Sequence, residues 1–462
     1  MSTSSQDPAE IERRVLDKIR PRPEMLARVA LVRAALVERV TQAASERKSP
    51  LVRALVAGSA ARETFLEDRL DIDLFLLFPP ELSKDQLEAD GLALGRAVLT
   101  APETRYAEHP YLRGTFEGFQ VDAVPGYAIT DSGHPLSAVD RTPFHQAYLV
   151  ARQTPAMVDQ VRLTKKFLRS LGLYGSETRT EGFSGYLQEL LVLRYGSLRG
   201  LLEEARRWRP PVHLSEGGKD PPRLPSHVAL ILPDPVDANR NVASALSQRN
   251  LATFILAAEA YLRNPSERWF EGAARPSITI EQALDQLRTR TTHVAVVTLP
   301  RPDLVDDILY PQIRKAEHAI AEEAERQGFQ VMGTASAAGD ASLILLVEVT
   351  HSLLPAVKLH EGPPVGIDRV GNFLEKWTDP SGPTLQGPYV QADGRLAVET
   401  RRAERELVAL LRTSLARLPL GKDLRASSTT NASVSSLERA SDSSALRTAL
   451  GDLLLKRLPW LP

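Results

Sequence analysis

Asp71-Ile72-Asp73-Leu74-Phe75-Leu76-Leu77-Phe78, closed by Pro79-Pro80, is the stretch on which the reading of this chain turns. Its apolar density marks a buried strand, and the two prolines stop it. Residues two apart in a strand point to the same face, so Asp71 and Asp73 stand side by side among Ile, Leu and Phe. Two carboxylates that close repel one another and burial adds to the cost, so the pair is stable when a cation sits between them. Taken alone, a strand end with both acids merely solvated is the alternative.

The flanking sequence supplies more of the same chemistry. Upstream, a short β-branched run over 51–56 ends at Gly58-Ser59. Glycine at such a strand-to-helix turn lets backbone approach a phosphate, and the following N–H groups and the Ser59 hydroxyl bind its oxygens. Downstream, a helix over about 84–98 leads into two further strands. The second, Phe119-Gln120-Val121-Asp122-Ala123-Val124, carries a third acid, Asp122. Three acids and a Gly-Ser turn are what two-metal phosphoryl transfer requires: one cation at the attacking hydroxyl, one at the triphosphate and its leaving group. Residues 9–47 precede this unit as a predicted helix, with Leu26, Val29, Val32, Leu36 and Val40 at spacings of three and four.

The 462 residues exceed one ordinary core, so two to four domains are expected. Residues 155–264 read as helical, with Ser184 as N-cap of a helix carrying Leu187, Leu190, Leu191 and Leu193; a Pro/Gly/Lys-rich loop interrupts at 210–225. Beyond lie a strand over 293–299, a helix over 311–327, a strand over 342–349 and a hairpin across Asp393-Gly394. The serine-rich segment 427–444 reads as a low-complexity, mobile connector. The expected fold class is therefore α/β and α+β multidomain. Its parts are a compact α/β head over 1–152, a helical central domain over 153–288, and a small α+β C-terminal domain with tail over 289–462.

Composition removes several chemistries. With no cysteine, disulfides, thiolate zinc sites and cysteine nucleophiles are excluded. The nine histidines show no H-E-x-x-H spacing, so any metal is a hard cation on carboxylates, magnesium above all. A net charge of −1 neither indicates nor excludes a nucleic-acid partner, because the field that steers a polyanion is local. Residues 1–7 show no apolar signal segment and no stretch suits a membrane span, so a cytoplasmic enzyme is expected.

The run Gly58-Ser59-Ala60-Ala61-Arg62-Glu63-Thr64, followed by Asp71-Ile72-Asp73, resembles the signature of polymerase-beta-type nucleotidyltransferases. Further runs narrow the resemblance to the archaeal, class I, CCA-adding tRNA nucleotidyltransferases. Among them are Arg105-Tyr106-Ala107-Glu108-His109-Pro110-Tyr111, Val121-Asp122-Ala123-Val124-Pro125, Ala138-Val139-Asp140-Arg141-Thr142-Pro143-Phe144-His145, Gly182-Phe183-Ser184-Gly185-Tyr186-Leu187 and Asp234-Pro235-Val236-Asp237 with Arg240-Asn241-Val242-Ala243. In order, the matches span most of residues 50–310.

The resemblance implies a polymerase-beta-type head whose metal-binding catalytic carboxylates are Asp71, Asp73 and Asp122. It implies Ser59 and Arg62 at the triphosphate; His109, Thr142, Lys165 and Tyr174 at the sugar and phosphates; and Arg240 at the incoming base. An Arg fork can donate to cytosine O2 and N3 or to adenine N1. For Arg240 an ion pair with nearby Asp237 is the alternative. Asp71 stands where glutamate is common, and Glu63 puts an acid beside the phosphate-binding turn that Arg62 or a metal must offset. The implied activity is addition and repair of the 3′-terminal CCA of tRNA from CTP and ATP, with Mg2+ and without a template, in a homodimer. A poly(A)-type or small-molecule nucleotidyltransferase, or an inactive RNA-binding module, are the competing readings. Arginine clusters at Arg194, Arg199, Arg206, Arg207 and Arg209, and at Arg395, Arg401, Arg402, Arg405, Arg412 and Arg417, are the candidate grip on tRNA phosphates.

Overall fold

The computed structural model describes residues 7–68, 70–106, 110–215, 228–272, 275–428 and 431–461. The chain forms two compact units, 1–273 with 458–462, and 274–457.

The first unit opens with helices α1 (Pro8–Ile19), capped by the Asp7 side chain, and α2 (Pro23–Glu46). One helix was expected over 9–47. It is broken at Arg20–Arg22 because Pro21 and Pro23 each lack a backbone donor and disfavour helical geometry in the residue before them. Next come β1 (Arg53–Ala57), the one-turn helix α3 (Gly58–Ala61), β2 (Asp71–Phe78), α4 (Lys84–Val98), β3 (Thr100–Tyr106), β4 (Pro110–Phe116) and β5 (Phe119–Tyr127). The strands form a five-stranded sheet in the order β1-β2-β5-β4-β3. Only β2 and β5 pair in parallel, at its centre. Val29, Val32, Leu36 and Val40 of α2 and Leu87 and Leu94 of α4 pack on Ile72, Leu74 and Leu76, which explains the apolar alternate positions of β2. The opposite face of β2 carries Asp71 and Asp73 and then a small patch with Phe75 and Leu77 beside Ala57.

The chain continues through α5 (Thr142–Val150), α6 (Pro155–Ser170), α7 (Gly185–Tyr195) and α8 (Leu198–Ala205). Ser184 caps α7 as expected, its side chain accepting from the Leu187 N–H. The expectation of helices over 155–264, interrupted by a loop at 210–225, is corrected by four short strands before α9 (Gln248–Arg263). These are β6 (Val212–His213), β7 (Leu230–Ile231), β8 (Pro233–Asp234) and β9 (Asp237–Asn241). Asn241 makes the turn by bonding the Leu230 carbonyl and the Leu232 N–H. Much of the expected 210–225 loop lies outside the described residues.

In the second unit, α10 (Ile280–Arg290), β10 (His293–Pro300), α11 (Asp306–Gln327), β11 (Val331–Ala338) and β12 (Ser342–Val349) begin the domain. They are followed by β13 (Val357–Pro364), α12 (Val370–Trp377), β14 (Thr384–Val390) and β15 (Arg395–Arg401). Helices α13 (Leu407–Ser414) and α14 (Lys422–Ser428), strand β16 (Ser433–Ser436) and helix α15 (Ser444–Leu454) complete it. The sheet β11-β12-β10-β16 has α11, α13 and α14 on one face and α10 and α15 on the other. The expected hairpin across Asp393-Gly394 joins β14 and β15. The described part of 427–444 is not a loose connector. Val434 and Leu437 are buried, and they anchor β16 to the edge of β10 despite the surrounding serines.

Candidate active site

Sheet register brings the three acids together. Asp73 of β2 lies directly beside Asp122 of β5, and Asp71 is two residues before Asp73 on the same face. Asp73 is half-buried. Burial, then the charges of Asp122 and Asp71, push its carboxyl up to about 6, against the opposing pull of Arg62 and Arg113. Arg113, which sequence reasoning missed, stands opposite Asp122 on β4. Its fork donates Nε–H to Asp122 Oδ1 and Nη2–H to Oδ2, each at 2.8 Å, and Nη2 lies 3.4 Å from Asp71 Oδ2. These acids hold the guanidinium well above its ordinary range, chiefly through the Asp122 hydrogen bonds.

Above Asp73 sits the turn. Gly58 has φ +69°, and a Cβ there would stand 2.0 Å from Asp73 Oδ2. Ser59, Arg62, Asp73, Thr142, Lys165 and Tyr174 all line one cleft of about 270 Å³. Six of the residues anticipated from sequence are therefore gathered. The cleft also holds His145, Tyr186 and Glu189, which were not anticipated. His145 follows Thr142 by one turn of α5, so the i, i+3 spacing carried that signal.

Arg62 is not free to point anywhere in the cleft. Glu189, almost wholly buried on α7, accepts its Nε–H at 2.7 Å and Nη2–H at 3.0 Å, while Gln146 accepts from Nη1. Thr64 Oγ1 and Gln153 Nε2 donate to the same carboxylate at 3.1 Å each, so α7 is tied to the segment that follows the Gly58-Ser59 turn. Lys165 donates to the Thr64 carbonyl at 2.8 Å; burial pulls its ammonium down to about 8, with Glu189 opposing. Lys165 and Arg169 both stand over the Tyr174 ring, whose hydroxyl burial pushes up to about 12. The charge of Glu63, expected to be offset by Arg62 or a metal, instead lies near half-buried Arg33 and buried Arg162; burial lowers the pKa of both guanidiniums, and Glu63 opposes that shift in each.

Arg240 stands behind the cleft wall. Its partner is Asp234 at 2.7 Å, whereas Asp237 pairs with Arg141 at 2.8 Å. His109 lies outside the described residues.

Among the described residues, no three carboxylate or imidazole side chains are already drawn into a metal cage. The Arg113 fork occupies both oxygens of Asp122. The donor set suits a hard cation: three carboxylates on neighbouring positions of paired strands, one of them kept from ionising easily by burial and then by the other two. Arg113→Ala is expected to tighten Mn2+ binding by about tenfold, because it removes a competing cation and raises the local negative potential. Electron paramagnetic resonance of free Mn2+ measures this, and equal or weaker binding would show that Arg113 stays on Asp122 beside the metal.

The arginine clusters divide. Arg199 is bound to Glu12, and Arg402, Arg405 and Arg412 donate to the carbonyls of Gln327, Leu354 and Val434, so these four brace the fold. Arg194, Arg206, Arg207 and Arg209 in the first unit are exposed, as are Arg395 and Arg401 of β15 and Arg417 in the second. Among the described residues, no helix is long and apolar enough to cross a membrane.

Comparison with known proteins accounts for this arrangement. Residues 37–145 match the family model of the nucleotidyltransferase domain, 159–271 that of the second domain of tRNA nucleotidyltransferase, and 290–436 that of the C-terminal domain of the CCA-adding enzyme. The CCA-adding enzyme of Halorubrum lacusprofundi is 41% identical over 84% of this chain and 86% of its own. That of Methanocaldococcus jannaschii is 37% identical over 80% and 84%, and that of Methanosarcina barkeri 36% over 92% and 94%. With the three family models matched along the chain and relatives this similar over most of its length, the chain belongs to the archaeal-type, class I CCA-adding enzymes, tRNA nucleotidyltransferases of the polymerase-beta type.

Proposed function

We propose that this enzyme adds and repairs the 3′-terminal CCA of tRNA, using CTP and ATP without a nucleic-acid template. The observation that carries the reading is the in-register carboxylate pair Asp73 and Asp122 with Asp71 beside them, Asp73 lining a cleft that also holds Ser59, Arg62 and Lys165. Each cycle forms a bond from the tRNA 3′ oxygen to the nucleotide α-phosphorus and breaks the bond from that phosphorus to the bridging oxygen. Pyrophosphate leaves, and the hydroxyl proton passes to solvent.

Asp71, Asp73 and Asp122 are the catalytic residues and would hold the divalent metal, which we assign as Mg2+ from the all-carboxylate donor set. Bound there, it supplies charge neutralisation for the triphosphate and lowers the pKa of the attacking hydroxyl. Ser59 and the backbone N–H groups of the turn receive phosphate oxygens, and Arg62 and Lys165 bring positive charge to the same cleft. Thr142, Tyr174 and His109 bind the nucleotide, and Arg240 acts in base selection. The division into a catalytic domain over 1–152, a central domain over 153–288 and a tRNA-binding C-terminal domain over 289–462 is supported by the spans of the three family models. Exposed Arg194, Arg206, Arg207, Arg209, Arg395 and Arg401 hold tRNA phosphates, the partner being read by shape. The enzyme works in the cytoplasm as a homodimer.

Incorporation of labelled CTP and ATP into tRNA transcripts lacking A, CA or CCA tests the reading. Stepwise extension that halts at CCA is expected. Continued A addition would move the enzyme to the poly(A) type, and no addition to any tRNA would overturn the substrate assignment.

A further inference from the structure

One carboxylate behind the cleft takes hydrogen bonds from four different residues. Asp234, whose side chain is wholly buried, sits in the tight hairpin between β8 and β9. Its Oδ2 takes His145 Nε2 at 2.8 Å and Arg240 Nη1 at 2.7 Å. Its Oδ1 takes the Tyr186 hydroxyl and the Val236 N–H, each at 3.1 Å. The rings of His145 and Tyr186 stack with centroids 4.0 Å apart, and both line the cleft. The hairpin is clamped to the same helix start a second time, through Asp237 and Arg141. Burial alone would keep Asp234 protonated, but the bonds from His145, Val236 and Arg240 outweigh it and hold its pKa below the ordinary value.

An ionised Asp234 can only accept. His145 must then carry its hydrogen on Nε2 and turn Nδ1 away from the carboxylate, while Arg240 is held on the same oxygen. We propose that Asp234 is a positioning residue that fixes the tautomer of His145 and the aim of Arg240 together, so that grip on the nucleotide and choice of its base depend on one buried carboxylate. The proposal rests on the nucleotidyltransferase reading of this cleft and deepens it. Asp234 need touch neither substrate nor metal: it acts through two side chains whose own positions it over-determines.

Asp234→Asn keeps the shape but offers one acceptor and one donor where four donors now converge. In the full-length enzyme its KM for CTP and ATP is expected to rise about tenfold or more, the scale of a lost buried hydrogen bond to a charged group. The KM for tRNA should move little, and UTP incorporation relative to CTP should rise about fivefold. Tyr186→Phe, which removes one donor and keeps the stacked ring, should raise the nucleotide KM only about two- to threefold. Selective 15N labelling of histidine reports the tautomer directly, the His145 signals being assigned by their loss in His145→Gln. An Nε2–H form is expected in the wild type and a mixture in Asp234→Asn. A folded Asp234→Asn enzyme with unchanged nucleotide KM and unchanged tautomer overturns the proposal. Should that variant fail to fold, a Tyr186→Phe enzyme with wild-type nucleotide KM and selection overturns it instead. Equilibrium binding of CTP to wild type and variants in the absence of RNA separates this failure from failure of the CCA assignment, since it requires no tRNA.

Discussion

Asp73→Ala is expected to abolish nucleotide addition, lowering kcat by a factor on the order of 10² to 10³ or more, with tRNA affinity nearly unchanged. Asp73 stands within the sheet, between Ala57 of β1 and Asp122 of β5. None of the exposed arginines assigned to tRNA belongs to this cluster, which is why binding and turnover should separate. A filter-binding titration beside single-turnover kinetics measures both, and near-wild-type turnover would show that the carboxylate assignment is wrong. A second consequence runs in the opposite direction. The Asp73 carboxyl is raised to about 6 from an ordinary 3.8, so the folded protein binds the extra proton between those values and its stability falls as pH rises through them. Above pH 6 the metal-free enzyme carries the full penalty of an ionised Asp73. Asp73→Asn should therefore be more stable than wild type at pH 7.5 in EDTA, by ~1–2 kcal/mol once solvent screening is allowed for. A lower Tm for Asp73→Asn under those conditions would refute this.

Strand β2 was legible to the residue because two independent signals agree there: apolar density sets its extent and Pro79-Pro80 its end. The helix break at Pro21 and Pro23 was equally present in the sequence, but the periodicity continues across it and masked the boundary. Segment 427–444 misled for the converse reason. Its serines dominate the composition, whereas Val434 and Leu437 decide the structure by being buried. Composition measures an average, and a strand at a sheet edge needs only a few anchors.

The site was legible wherever function rests on residues close in sequence. Asp71 and Asp73 follow from strand periodicity, and the Gly58-Ser59 turn from its own chemistry. Arg113, Glu189 and Asp234 were not legible, because each acts through a partner far along the chain or in another strand. Arg113 meets Asp122 only through the β4–β5 register, and Glu189 meets Arg62 across 127 positions. Arg240 illustrates the limit. Asp237 is nearer in sequence, but the hairpin turns that side chain to Arg141 and leaves Asp234 to Arg240. The buried acids missed here share one role: they hold cationic side chains in place without themselves lining up as a motif.

Gly58→Ala should cost nearly as much activity as removing Asp73, from a residue with no functional group. The added methyl meets Asp73 Oδ2 at 2.0 Å, closer than atoms can approach, and Cγ at a tight 3.1 Å. Either the turn lifts away from β2 or the Asp73 carboxylate swings aside, and each separates the phosphate-binding backbone from the acids. The backbone is also held at φ +69°, where an L side chain costs roughly 1 kcal/mol. Gly196, at φ +78° with nothing within 4 Å of a built Cβ, isolates that second effect. Gly196→Ala should lose roughly 1 kcal/mol of stability and keep its turnover, whereas Gly58→Ala should lose about 10² in kcat with a similar drop in stability. Parallel thermal unfolding and single-turnover CMP addition distinguish the two. If Gly58→Ala turned over like Gly196→Ala, contact between the turn and Asp73 would be irrelevant to catalysis, and the turn would have to bind the triphosphate without the acids beneath it.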